Sequence, residues 1–209
     1  MNFIGHAAVA LWQRAAPTFV LGSMLPDFAG MAGVRMGAGP RGEPELAAGV
    51  ALHHRTDEVF HAAPAFVALQ QRTLDALTPL GVPRGCARAV GHIGVEMLID
   101  GELLCDGGLA EAYVRALQAE VALDGVFPER ESQERYHQLR ARLVQHGVPY
   151  DYGDPDAVLR RLQYVLSRRP RLAIAESFAP HVRALLPRLQ HEVREALPAL
   201  LASVRAGLS

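Results

Sequence analysis

The sequence predicts an all-α fold, and three observations carry that expectation. Apolar residues recur mostly at helical spacing, strand-like alternation over five or more residues is hard to find, and Pro64, Pro83 and Pro155 stand where first turns of helices should begin. At 209 residues, half of them hydrophobic, the chain is long enough to bury one substantial core. A single helical-bundle domain over residues 1–209 is therefore expected.

The apolar stretch from Met1 to Leu25 reads as helices near 2–13 and 17–28, with Asp27 closing the run Gly-Ser-Met-Leu-Pro-Asp. His6 and Arg14 interrupt the stretch and no basic segment precedes it, so a secretory signal is not expected. The glycine-rich segment from Gly30 to Pro44 reads as a loop. It lacks the Gly-Lys-Ser/Thr ending of a phosphate-cradling loop, and it is either a cover over a site or an ordinary connection. Helices near 44–62, 64–79 and 84–104 follow, the last two opened by Pro64 and Pro83. Further helices are expected near 108–122, 129–146, 154–168 and 179–205, with Asp154 as the N-cap before Pro155. In the last of these, Val182, Leu185, Leu186, Leu189, Val193, Leu197, Leu200 and Leu201 form a stripe suited to a core or to a homodimer seam.

The formal charge is −1 and the isoelectric point 6.8, so no global basic field attracts nucleic acid, and none is expected as partner. All 21 basic residues are arginine, which excludes Schiff-base or general-base chemistry by lysine. Cys86 and Cys105 form no metal-binding or redox spacing, which fits a reducing compartment. No stretch approaches the roughly 18 uninterrupted apolar residues of a membrane span. A cytoplasmic protein is expected.

The chemistry lies in two stripes. His53, Asp57 and His61 recur at four-residue steps, as do His92, Glu96 and Asp100. Each step advances about 400° on an α-helix and sets neighbours roughly 6 Å apart on one face. His6 and Asp27 bring the candidate ligands to eight. Imidazole and carboxylate suit Zn²⁺, Mn²⁺ or iron, and the set would serve two ions about 3.5–4 Å apart, the arrangement that favours in-line displacement at phosphorus. Asp57 is the natural bridging carboxylate, and Asp57 and His61 are the candidates for a direct catalytic part. His54 and Arg55 beside them, and Arg169 in the arginine-rich run 160–171, are candidates to hold phosphate oxygens. The plain alternative for His53 with Asp57 is a helix salt bridge worth about 0.2–0.5 kcal/mol. It does not extend to His92 and Glu96, whose apolar surroundings would make an uncompensated carboxylate costly. His137, His146, His181 and His191 lack such a pattern and read as ordinary surface or core residues.

The opening Met-Asn-Phe-Ile-Gly-His, the later Gly-Ser-Met-Leu-Pro-Asp-Phe and the run Gly-Val-Ala-Leu-His-His-Arg-Thr-Asp resemble the acyl carrier protein phosphodiesterase family in order and spacing. Asn2, His6, Asp27, Gly49, His53 and Asp57 fall at the matching positions, Glu96 and Asp100 correspond to a later carboxylate pair, and Arg-Arg-Pro-Arg-Leu at 168–172 is similar to the family's C-terminal portion. The resemblance implies an all-helical, HD-related, manganese-dependent hydrolase that removes phosphopantetheine from holo acyl carrier protein. The chain departs from that pattern in carrying His61 and Glu96 where the family has Asp, Gly101 where it has His, and His54 where it has Arg. More histidine implies a site nearer zinc or iron. The spacings at His53–Asp57 and His92–Glu96 are also similar to zinc-dependent phospholipase C and the related single-strand nucleases. A metal-dependent phosphodiesterase or phosphohydrolase with two divalent ions is the expectation. An HD-related di-iron oxygenase and a noncatalytic helical protein with a structural metal are the alternatives.

Overall fold

The computed structural model describes residues 1–34, 42–123 and 125–209. Among these there is no strand. The helices are α1 (Phe3–Leu11), α2 (Pro17–Met31), α3 (Pro44–Ala62), α4 (Pro64–Leu77), α5 (Arg84–Ala89), α6 (Val95–Leu103), α7 (Gly107–Gln118), α8 (Arg130–His146), α9 (Pro155–Ser167) and α10 (Ala179–Leu208). Short 3₁₀ turns lie at Thr78–Leu80 and Tyr150–Gly153, and a π-helical turn at Val90–Gly94 joins α5 to α6. The all-α expectation is met. The centre of the expected glycine-rich loop, residues 35–41, lies outside the described residues, and with it the question of a cover.

The chain divides into two compact units, Met1–Glu58 with Leu103–Pro149, and Val59–Glu102 with Tyr150–Ser209. In the first unit, α1 and α2 are apolar on nearly every face, and Ile4, Ala7, Leu21, Met24 and Leu25 are fully buried. Both helices pack against α7, with Phe3 between Phe28 and Tyr113. α2 runs past the expected end at 28 despite Pro26, which removes the hydrogen bond to the Gly22 carbonyl. α7 stops at Gln118 rather than near 122: the backbone leaves the helical region at Ala119, ψ 130°, and Arg140 of α8 donates to the carbonyls of Leu117, at 2.7 Å, and Ala119. Arg135 does the same for α2, donating to the Ala32 carbonyl at 3.0 Å. Both arginines satisfy carbonyls that a helix end leaves without an internal partner.

In the second unit, α10 packs on α4 and α9, burying Val182, Leu186, Leu189, Val193 and Leu200. These five positions of the stripe are core within this unit, while Leu185, Leu197 and Leu201 are half-buried. Asp154 caps α9 as expected, its carboxylate accepting from the Asp156 amide at 3.0 Å. The expected helix 84–104 is present but interrupted by the π turn. Glycines mark its close approaches: a β-carbon at Gly91 would meet Thr73 at 3.1 Å, and one at Gly101 would meet the Tyr152 carbonyl oxygen at 2.4 Å.

Candidate metal centres

The first donor set begins with two glycines. A β-carbon at Gly49 would lie 2.2 Å from the Phe19 carbonyl oxygen, and one at Gly22 would lie 2.3 Å from that of Leu46, so α2 and α3 touch backbone to backbone. His53, one turn beyond Gly49, consequently reaches α2, and its Nδ1 lies 2.9 Å from the Ser23 carbonyl oxygen. A carbonyl can only accept, so Nδ1 carries the proton and Nε2 keeps its lone pair. Metal-binding histidines are commonly oriented in this way. The His6 ring stacks on His53 with centroids 3.9 Å apart. One donor atom each from His6, Asp27 and His53 lies within 4.8 Å of the others. A tetrahedral ion with bonds of about 2.0–2.2 Å sets its donors roughly 3.4 Å apart, so modest side-chain rotation closes the set. Asp57 adjoins it, with Oδ1 3.2 Å from His6 Nε2 and 2.7 Å from the Met1 amino group, and Oδ2 3.5 Å from His53 Nε2.

Burial, with the neighbouring His6 second, lowers the pKa of His53 to about 3, so the ring is neutral near pH 7. Burial acts to raise Asp57, but the hydrogen bond from His6 and the charge of the Met1 amino group outweigh it and hold the carboxyl far below its usual range. A neutral imidazole lone pair and an anionic oxygen therefore face each other at 3.5 Å. Two acceptors at that separation repel, and a cation between them removes the conflict. The donor set fits a divalent ion. His6 and His53 are buried, while 31 % of the Asp57 side chain stays exposed.

The second donor set lies within the other unit. Glu96 Oε1 is 3.1 Å from His61 Nε2 and 3.4 Å from His92 Nε2, and the two rings stack with centroids 5.0 Å apart. One donor atom from each of the three again lies within 4.8 Å of the others. His92 sits in the π turn, with Nδ1 2.7 Å from Gln70 Nε2, and Phe66 of α4 meets both rings edge-on or tilted. Burial acts to raise Glu96, but the hydrogen bond from His61, the largest opposing cause, together with nearby positive charge leaves it lowered, so it is a carboxylate. Exposure rises from 12 % for the Glu96 side chain to 36 % for His61 and 45 % for His92.

Seven of the eight expected ligands fall into two converging sets, one within each unit. Asp57 has His6 and His53 as its imidazole neighbours, and His61 groups with His92 and Glu96. Asp100, one turn beyond Glu96, is fully buried and does not join the converging donors. His54 lies edge-on to His53, with a buried Nε2 that has no hydrogen-bond partner. Arg55 is on the exposed side of α3. Arg169 lines a cavity of about 600 Å³ together with His92, Gln70 and Arg88. Gln70 and the Ser23 carbonyl carry no signal in the sequence. Arg88 does: it extends the stripe of His92 and Glu96 one four-residue step towards the N-terminus. No protein-family model, curated protein or solved structure matches the chain.

Proposed function

We propose that this protein is a metal-dependent hydrolase of phosphoric esters, with His6, Asp27, His53 and Asp57 as ligands at one end of its chemistry. The observation that supports this most is the His53 lone pair facing the Asp57 carboxylate, an arrangement that makes physical sense around a cation. A divalent ion held there supplies Lewis acidity and brings a bound water's pKa towards neutrality. The exposed edge of Asp57 gives substrate and water a way in. His54, whose Nε2 has no hydrogen-bond partner, would donate to a non-reacting phosphoryl oxygen, and Arg55 would add a fixed positive charge.

Phosphodiesters are the proposed substrate class. The phosphopantetheine ester of acyl carrier protein is the candidate that the family resemblance implies, and the cytoplasm is the proposed setting. The decisive experiment combines metal analysis of the purified chain with a panel of bis(p-nitrophenyl) phosphate, holo acyl carrier protein and phospholipid head-group esters. Wild type should bind Zn²⁺ or Mn²⁺ and cleave at least one member of the panel, while His53→Ala and Asp57→Asn should each reduce the rate at least 100-fold. Unchanged turnover in Asp57→Asn rules the assignment out. The burial of His6 and His53 favours a second reading, in which the ion is structural. In that case both variants would lose thermal stability, and no phosphoester would be cleaved by the wild type.

A further inference from the structure

We propose that the second unit carries a cation site of its own at His61, His92 and Glu96, and that the adjoining cavity binds an organic phosphate with an apolar body. The inference goes beyond the hydrolase reading and does not depend on it.

Two imidazoles and one carboxylate are the ligand set of many zinc sites that keep a place for an outside ligand. The exposure of His61 and His92 leaves such a place here, whereas Glu96 is nearly enclosed between the two rings. Packing fixes His92. Gly91 lies tight against Thr73, and a β-carbon at Gly94 would meet Leu162 at 3.4 Å, so the π turn carrying the ring is held on both sides. Such turns recur at functional sites. With Nε2 given to a cation, Nδ1 becomes the donor and calls for the side-chain oxygen of Gln70, the opposite amide rotamer to the one that sets Nε2 at 2.7 Å.

His92 and Gln70 also form part of the wall of the cavity of about 600 Å³, a size suited to a small organic molecule. Arg88 and Arg169 contribute two permanent positive charges to that wall, and Leu74 and Leu172 contribute apolar surface. Elsewhere in this unit Arg72, Arg160, Arg161, Arg183, Arg188 and Arg194 each have a carboxylate within ion-pair distance. Among the described residues Arg88 and Arg169 have none, nor do Arg84, Arg168 and Arg171, and of these five arginines Arg88 and Arg169 are the two that line the cavity. Hydrogen bonds to the Arg169 carbonyl from the amides of Leu172, at 2.8 Å, and Ala173 close a turn that keeps this segment beside the cavity. Two uncompensated guanidinium forks next to a cation-binding histidine favour a dianionic phosphate, and the leucines favour an apolar remainder.

The test uses the full chain and Zn²⁺ alone, by calorimetric titration after chelation, on wild type, His92→Ala, His61→Ala, Glu96→Gln and His53→Ala. Wild type should bind two equivalents, and each second-unit variant should retain one. His53→Ala should also retain one, held by the other set. A zinc count unchanged by all three second-unit variants overturns the cation site, whatever becomes of the hydrolase reading, which is judged by turnover in Asp57→Asn. In the zinc-loaded protein, phenyl phosphate should bind at least tenfold tighter than inorganic phosphate and more tightly than phenol. Arg88→Ala and Arg169→Ala should each weaken it about tenfold or more with the zinc count intact. Equal affinity in both arginine variants, or equal affinity for phenol, overturns the phosphate assignment.

Discussion

His53 shows how one side chain couples burial to chemistry. Its folded pKa of about 3 lies below the ordinary histidine value, so between about pH 6.5 and 3 the unfolded chain binds a proton that the folded chain does not. Stability of the metal-free protein should fall as pH drops through that window and be fully present above it. Asp57, also lowered, adds to the loss only below its ordinary value near 4. Urea unfolding midpoints at pH 7.5, 6 and 4.5 test this, and a flat profile would contradict it. Tyr136 is the contrasting case. Its hydroxyl is buried without a hydrogen-bond partner, and burial pushes its pKa up to about 12 despite the neighbouring Arg140. Removing an unsatisfied polar atom relieves a desolvation cost of about 1–3 kcal/mol. Tyr136→Phe should therefore leave the melting temperature unchanged or higher, and a clear drop would show that the hydroxyl has a partner in solution.

At the scale of elements, the contact of α2 with α3 decides whether the first donor set exists. A β-carbon at Gly49 would meet backbone atoms of Phe19 and Gly22 at 2.2 and 2.8 Å, and backbone cannot swing aside as a flexible side chain can. Gly49→Ala should cost at least the roughly 1–3 kcal/mol typical of overpacking. It should also weaken zinc binding, because His53 would lose the Ser23 carbonyl. Gly30 supplies the control: it lies within α2, and nothing stands within 4 Å of its absent β-carbon. Gly30→Ala should stabilise by about 0.5–1 kcal/mol through helix propensity alone. Thermal denaturation of the two variants side by side separates a packing glycine from an incidental one.

For the molecule as a whole, ions that bind only the folded chain raise its stability by mass action. Each occupied site should add about 2.7 kcal/mol at a free Zn²⁺ concentration one hundred times its dissociation constant. Chelation should lower the melting temperature correspondingly, and a melting curve indifferent to both zinc and chelator would argue against either set being a metal site. Charge offers little else at this scale: the net value is −1, and among the described residues no helix is long and apolar enough to cross a membrane.

The all-α class and the extents of α3, α4 and α9 were legible in the residues themselves, because periodicity and features such as Pro64, Asp154 and Pro155 act within a few residues of where they stand. The pairings of His53 with Asp57 and of His92 with Glu96 were legible too, since a four-residue step places side chains on one helical face whatever surrounds it. Which faces met was a different matter. The partnership of His61 with His92 and Glu96, the neighbourhood of His6 and Asp57, the burial of Asp100 and the part of Gln70 were all decided by tertiary packing. Helical periodicity turns a side chain in a direction. Close contacts through Gly22, Gly49 and Gly91, far apart in the chain, determine what lies in that direction.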